Sequence, residues 1–161
     1  RGLVGSEMCI RDSAKIYDLQ NPTAKMSKSG DPKGLVNIMD DNTTIVKKFK
    51  SAVTDTDGEV RFDREEKPGV ANLLGIFSAL TGRSIDDLVG QYAGGGYGAL
   101  KGDLADAAVA VIEPIRSRAD ELLADTAQLD ALLAEGAARA DAVAEATLAK
   151  VYDRVGFTIA R

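Results

Sequence analysis

Pro22-Thr23-Ala24-Lys25-Met26-Ser27-Lys28-Ser29-Gly30-Asp31-Pro32 sets two lysines three residues apart, with one hydroxyl between them, another after them, and a Gly-Asp-Pro close. Proline at both ends and the internal glycine oppose a helix, so the stretch reads as a short loop able to move as a unit. Lysine brings a point charge on a flexible stem, and serine brings a small hydrogen-bonding group. Together they suit an oxygen-rich anion, and the loop is read as one that holds phosphate; a solvated basic turn is the plainer reading of the same residues. Upstream, Lys15-Ile16-Tyr17-Asp18-Leu19 alternates apolar and polar side chains and predicts a strand delivering the chain to the loop. Ile16 is expected in the core.

Downstream of the loop, Leu35-Val36-Asn37-Ile38-Met39 is a short apolar run, expected to be extended and buried beneath it. Asp41 or Asn42 then caps a helix with Ile45, Val46, Phe49 and Val53 at helical spacing. Lys47, Lys48 and Lys50 lie on its other faces, within reach of an RNA backbone or simply solvated. Thr54 to Gly58 reads as a turn. Asp55, Asp57 and Asp63 lack the spacing and closing glutamate of a calcium loop, so they are expected to shape the turn and orient Arg61. After Pro68 the pattern is helical throughout: an apolar run closing at Gly82, a short helix capped by Ser84, and a break at Gly94-Gly95-Gly96. A long amphipathic stretch follows with Leu100, Leu104, Ala108 and Val111, kinked at Pro114. A last helix is capped by Asp125 and carries Leu129, Leu132 and Leu133, with a break or bend at Gly136 before it continues from Ala137 to Val155. The triple glycine lacks the Gly-Lys-Ser/Thr of a phosphate loop and reads as a turn. Tyr92, Tyr97 and Tyr152 are read as structural in preference to base-stacking.

Lys25-Met26-Ser27-Lys28-Ser29 resembles the KMSKS signature of class I aminoacyl-tRNA synthetases. Asn21-Pro22-Thr23, Ser51-Ala52-Val53-Thr54-Asp55, Lys67-Pro68-Gly69-Val70-Ala71-Asn72-Leu73-Leu74 and Tyr97-Gly98-Ala99-Leu100-Lys101-Gly102-Asp103 occur in the order seen in the carboxyl-terminal half of the tryptophanyl-tRNA synthetase family. The pentapeptide identifies the class, and the downstream blocks select tryptophan over the tyrosine relative. The resemblance runs from about residue 14 to about residue 157. Residues 1–13 do not look like the sequence that precedes residue 14 in the family, and they are read as a non-native or disordered tail, Cys9 included.

The resemblance implies a mainly α chain: the last strand and lysine loop of a Rossmann-like nucleotide-binding domain over 14–40, then an α-helical, anticodon-binding bundle over 41–161. It implies ATP as a substrate, with Mg2+, and L-tryptophan and tRNA(Trp) as partners. Lys25 and Lys28 would contact the pyrophosphate portion of ATP. Ser27 and Ser29 would steady the loop and donate to phosphate oxygens, Met26 would anchor it, and the backbone at Ile16 would lie near the adenine; no protein metal site is implied. The implied parent is a homodimer acting in the cytoplasm. With no histidine in the sequence, the HIGH-type motif of such enzymes is missing, and this stretch alone is expected not to aminoacylate. A tyrosine-specific enzyme and a non-catalytic helical RNA-binding module are the rival readings.

The totals set bounds. A chain of 161 residues, 45% hydrophobic, is large enough for one helical domain with a core, or for one domain and part of another. No apolar run is long enough to span a membrane, and one cysteine forms no internal disulfide. The net charge of −5 speaks against nucleic acid when taken alone. Its distribution matters more. Residues 14–50 hold seven lysines against four aspartates, and the acidic residues concentrate on the later helices.

Overall fold

The computed structural model describes residues 15–157, so the reading of residues 1–13 lies outside them. The chain is mainly helical, with α1 at Asn42–Lys50, α2 at Pro68–Thr81, α3 at Ile85–Tyr92, α4 at Gly96–Ala124 and α5 at Thr126–Val155. It divides into two units, the first ending at Arg116 and the second beginning at Ser117.

Among the described residues the expected strand at 15–19 does not form; a single antiparallel bridge joins Tyr17 to Lys25. A strand needs a ladder, and here the backbone finds other partners. Asp18 N–H donates to the Ala24 carbonyl (2.9 Å) and Met26 N–H to the Ile16 carbonyl (3.0 Å). Tyr17 turns its amide group the other way, to a side chain. Asn72 on α2 accepts from Tyr17 N–H (3.0 Å) and donates to the Tyr17 carbonyl (2.9 Å), doing what a neighbouring strand would do.

The core of the first unit explains where its helices start and stop. Asp41 caps α1 by accepting from Thr44 N–H (2.8 Å), and Ile45 and Phe49, four residues apart, bury one face. Proline opens α2, where its missing N–H leaves no bond unmade. Val70, Leu73, Leu74 and Phe77 are buried, and the helix ends at Gly82, whose φ of 71° is the left-handed conformation glycine adopts most easily. Ser84 caps α3 through Asp87 N–H (3.1 Å). Leu100, Leu104 and Ala108 bring the first half of α4 onto the same core, which also takes in Leu19 from the base of the lysine loop.

Two expectations need correction. Ile38 and Met39 are not buried beneath the loop: they are 51% and 46% exposed. Their backbone is bent by Asn37 and Asp40, with Met39 N–H bonded to Asn37 Oδ1 and Asn37 N–H to Asp40 Oδ2. A polar turn overrides a short apolar run. Nor does Gly136 interrupt the last helix. Helix α5 runs unbroken from Asp125, its cap, to Gly156, since one interior glycine costs only about 1 kcal/mol in a helix rich in alanine. That helix has no buried residues, and Leu133 is 62% exposed.

Candidate functional site

The lysine loop is closed at its base by backbone bonds and one carboxylate. Leu19 N–H donates to the Gly34 carbonyl (2.9 Å), and Asp18 Oδ1 accepts from Gln20 N–H (2.7 Å) and Asn21 N–H (2.9 Å). Asp18 is buried against Gly34, where a Cβ would stand 1.9 Å from Oδ1. Glycine is therefore needed at residue 34 by close approach. The base is tied onward to the segment after α1: Val53 N–H donates to the Leu19 carbonyl (2.8 Å), and Gln20 Nε2 to the Ser51 carbonyl (3.1 Å).

On this frame Met26 is half-buried against the core, while Lys25, Ser27, Lys28 and Ser29 are exposed. Met26 thus lies between cations that face water. The Ser27 and Ser29 hydroxyls are 3.0 Å apart, and Gly30 N–H closes a turn on the Ser27 carbonyl (3.1 Å). Among the described residues neither Lys25 nor Lys28 forms an ion pair. Their charge is uncommitted. Ile16, expected in the core, is 42% exposed and lines a cavity of about 410 Å³ with Thr23, Asn72 and Ile76. The Tyr17–Asn72 bonds hold the backbone at Ile16 in place and leave its side chain on that wall.

Of the lysines on α1, Lys48 is committed: its ammonium lies 2.6 Å from Asp40 and 2.7 Å from the Leu35 carbonyl. Lys47 and Lys50 are exposed.

Sequence reasoning missed a second lysine site. Lys67, 3% exposed at the foot of α2, bonds to both Asp55 and Asp57, and the Tyr97 hydroxyl joins the same group. Burial opposes the charge on Lys67, but the bonds to Asp57, Tyr97 and Asp55 outweigh it and hold its pKa above the ordinary lysine range. The Lys67 hydrogen bond, aided by the Glu59 backbone, holds the Asp57 carboxyl well below its usual range. Burial, then Asp55, pushes Tyr97 up to about 12. Lys101 clamps the same segment from α4, donating to the Ala52 carbonyl (2.8 Å) and Thr54 Oγ1 (3.0 Å), and burial pushes its pKa down. Asp55 and Asp57 therefore serve Lys67, whereas Asp63 orients Arg61 (2.7 Å) as the sequence indicated. Tyr92 and Tyr97 are structural: the first is buried with its hydroxyl on Asp103 (2.6 Å). Among the described residues no three His, Cys, Asp or Glu side chains stand together to hold a metal, and no helix is long and apolar enough to cross a membrane.

The family model described as class I tRNA synthetases (W and Y) matches residues 8–113. A tryptophan-tRNA ligase of Corynebacterium glutamicum is 59% identical over 150 residues, 92% of this chain and 44% of that protein. One from Mycobacterium leprae is 54% identical over 146 residues, 90% of this chain and 43% of the relative. Among solved structures, tryptophanyl-tRNA synthetase from Mycoplasma pneumoniae aligns with a TM-score of 0.75 at 32% identity, over 89% of this chain and 44% of that one. The Campylobacter jejuni synthetase complexed with ADP and tryptophan aligns with a TM-score of 0.63 at 29% identity, over the same shares. The chain spans less than half the length of the relatives it matches.

Proposed function

The chain belongs to the class I tRNA synthetases of the tryptophan and tyrosine family, and from that premise we propose that it is the carboxyl-terminal part of a tryptophan enzyme whose nucleotide is handled by Lys25-Met26-Ser27-Lys28-Ser29. The observation that carries the reading is the loop itself: two exposed lysines without ion-pair partners among the described residues, flanking a half-buried methionine. Identity of 59% to a tryptophan-tRNA ligase supports the choice of amino acid. The division proposed is 14–40 for the end of a Rossmann-like catalytic domain and 41–161 for an α-helical, anticodon-binding bundle.

In the proposed reaction a carboxylate oxygen of L-tryptophan attacks the α-phosphorus of ATP. An O–P bond forms, the bond to the bridging oxygen breaks, and pyrophosphate departs with the electron pair, leaving tryptophanyl-adenylate. A terminal hydroxyl of tRNA(Trp) then takes the tryptophanyl group and releases AMP. The attacking carboxylate is already ionised at neutral pH, so the first step calls for alignment and for stabilising charge on the leaving group, not for a general base. Lys28 is assigned the main contact to that developing charge and Lys25 a second one. Ser27 and Ser29 donate to phosphate oxygens, and the backbone at Ile16 borders the adenine. Closure pivots between Pro22 and Gly30, with Met26 as the packed anchor. Magnesium is taken to arrive on the nucleotide as part of the substrate. The full protein is proposed to act as a cytoplasmic homodimer, and this stretch alone to be inactive.

The test is exchange of labelled pyrophosphate into ATP by the full-length protein with each of the twenty amino acids. Exchange dependent on tryptophan alone is the expected result. Exchange with tyrosine would keep the family and overturn the substrate, and exchange with none would overturn the enzyme.

A further inference from the structure

Beside the lysine loop lies a second recess, about 660 Å³, lined by Gln20, Lys33, Thr44, Lys47, Lys48 and Ser51 and by no acidic residue. Its two walls are the outer flank of the loop and one face of α1. Lys48 is neutralised by Asp40, but Lys33 and Lys47 form no ion pair among the described residues, nor does Lys50, which follows Lys47 by three positions and so shares its side of the helix. Asp31, the nearest acid along the chain, uses its Oδ1 to accept from the Lys33 N–H (2.9 Å). In a chain of net charge −5, an acid-free recess with two uncommitted ammoniums and a third along the same helix is a local exception.

We propose that this recess binds the phosphodiester backbone of the tRNA. The reading rests on the proposed function, which supplies the RNA but assigns it no surface on these residues. A nucleotide triphosphate is a compact anion, matched by the two lysines of the loop crest. Lys33, Lys47 and Lys50 instead stretch from the loop flank along a helix, an arrangement suited to successive phosphates of a polymer. The Thr44 and Ser51 hydroxyls already donate within the chain, to Asp41 Oδ2 (2.8 Å) and the Lys48 carbonyl (3.2 Å), so the contact to phosphate falls to the lysines. Because Gln20 and Lys33 belong to the same loop frame as Lys25 and Lys28, RNA held here would bear directly on the flank of the ATP-handling loop.

The experiment measures binding of tRNA to the full-length protein across a range of salt concentrations, for the unaltered protein, Lys33→Ala/Lys47→Ala and Lys33→Arg/Lys47→Arg. Each lost phosphate contact should flatten the slope of log K against log salt by about 0.7 to 0.9. The alanine pair is expected to flatten it by about 1.5 and weaken binding, while the arginine pair keeps the original slope. An unchanged slope in the alanine pair overturns the proposal. Exchange by the unaltered protein is read separately and needs no RNA. If it fails while the alanine pair still flattens the slope, the surface stands and the synthetase reading falls.

Discussion

In the loop, Lys25 and Lys28 face water with no carboxylate in ion-pair reach among the described residues, whereas Lys67 sits 3% exposed between Asp55 and Asp57 with Tyr97 beside it. The same side chain serves opposite ends. A lysine enclosed by its own counter-charges fixes the chain, here by holding the 55–57 turn to the foot of α2 and the start of α4. A lysine left without them is available to an anion from outside, and the fold invests its polar contacts in holding the backbone beneath it. Asp18, Gly34 and the Val53–Leu19 bond order the base of the loop without neutralising its crest.

If the contrast is right, the largest loss of stability among single changes at these two places should come from Lys67→Met. It leaves Asp55 and Asp57 close together with no cation, and Asp55 Oδ2 is already buried without a partner. Thermal unfolding should show a Tm well below that of any lysine variant in the loop, with Lys67→Arg recovering part of it. A Tm no lower than that of Lys28→Ala would remove the contrast.

Next is Gly34→Ala, which forces a methyl into the Asp18 carboxylate. A cost of about 1 to 3 kcal/mol is expected from such overpacking. Denaturant unfolding of Gly34→Ala, Asp18→Ala and the double variant should give a cost for the pair below the sum of the singles, because removing the carboxylate makes room for the methyl.

A smaller effect is set by pH. Asp57 is held below its ordinary value of 3.8 in the folded chain, so its contribution is present above that pH and is lost as pH falls toward its folded pKa. Stability should decline below about pH 4, and Asp57→Asn should make the decline shallower in an acid titration of the unfolding midpoint. The smallest effect on stability belongs to Lys28→Ala, within about 0.5 kcal/mol, as for an exposed side chain with no native partner.

What could be read from the sequence was local. The Asp41 cap, proline at the start of α2, Gly82, the Ser84 cap and the glycine break before α4 each follow from residues within a few positions of one another. The exposure of the loop lysines followed likewise from Pro22, Gly30 and Pro32. What escaped depends on distant pairs. Tyr17 and Asn72 are 55 positions apart, and Lys67 meets Tyr97 across 30. No periodicity announces that an asparagine on one helix will stand in for a strand, or that two aspartates in a turn have a buried lysine to hold. Ile16 and Ile38 looked like core because apolar runs predict burial only where the backbone is free to follow, and polar anchors at Asn72 and at Asn37 with Asp40 fixed it otherwise.

The measurement that bears most directly on the proposed role of the loop is tryptophan-dependent pyrophosphate exchange by the full-length protein, with Lys28→Ala beside the unaltered protein and the Tm of both recorded. Lys28→Ala should lower exchange on the order of 10² or more, as for loss of a charge contact made in the transition state, at an essentially unchanged Tm. Exchange that survives Lys28→Ala undiminished would contradict that role.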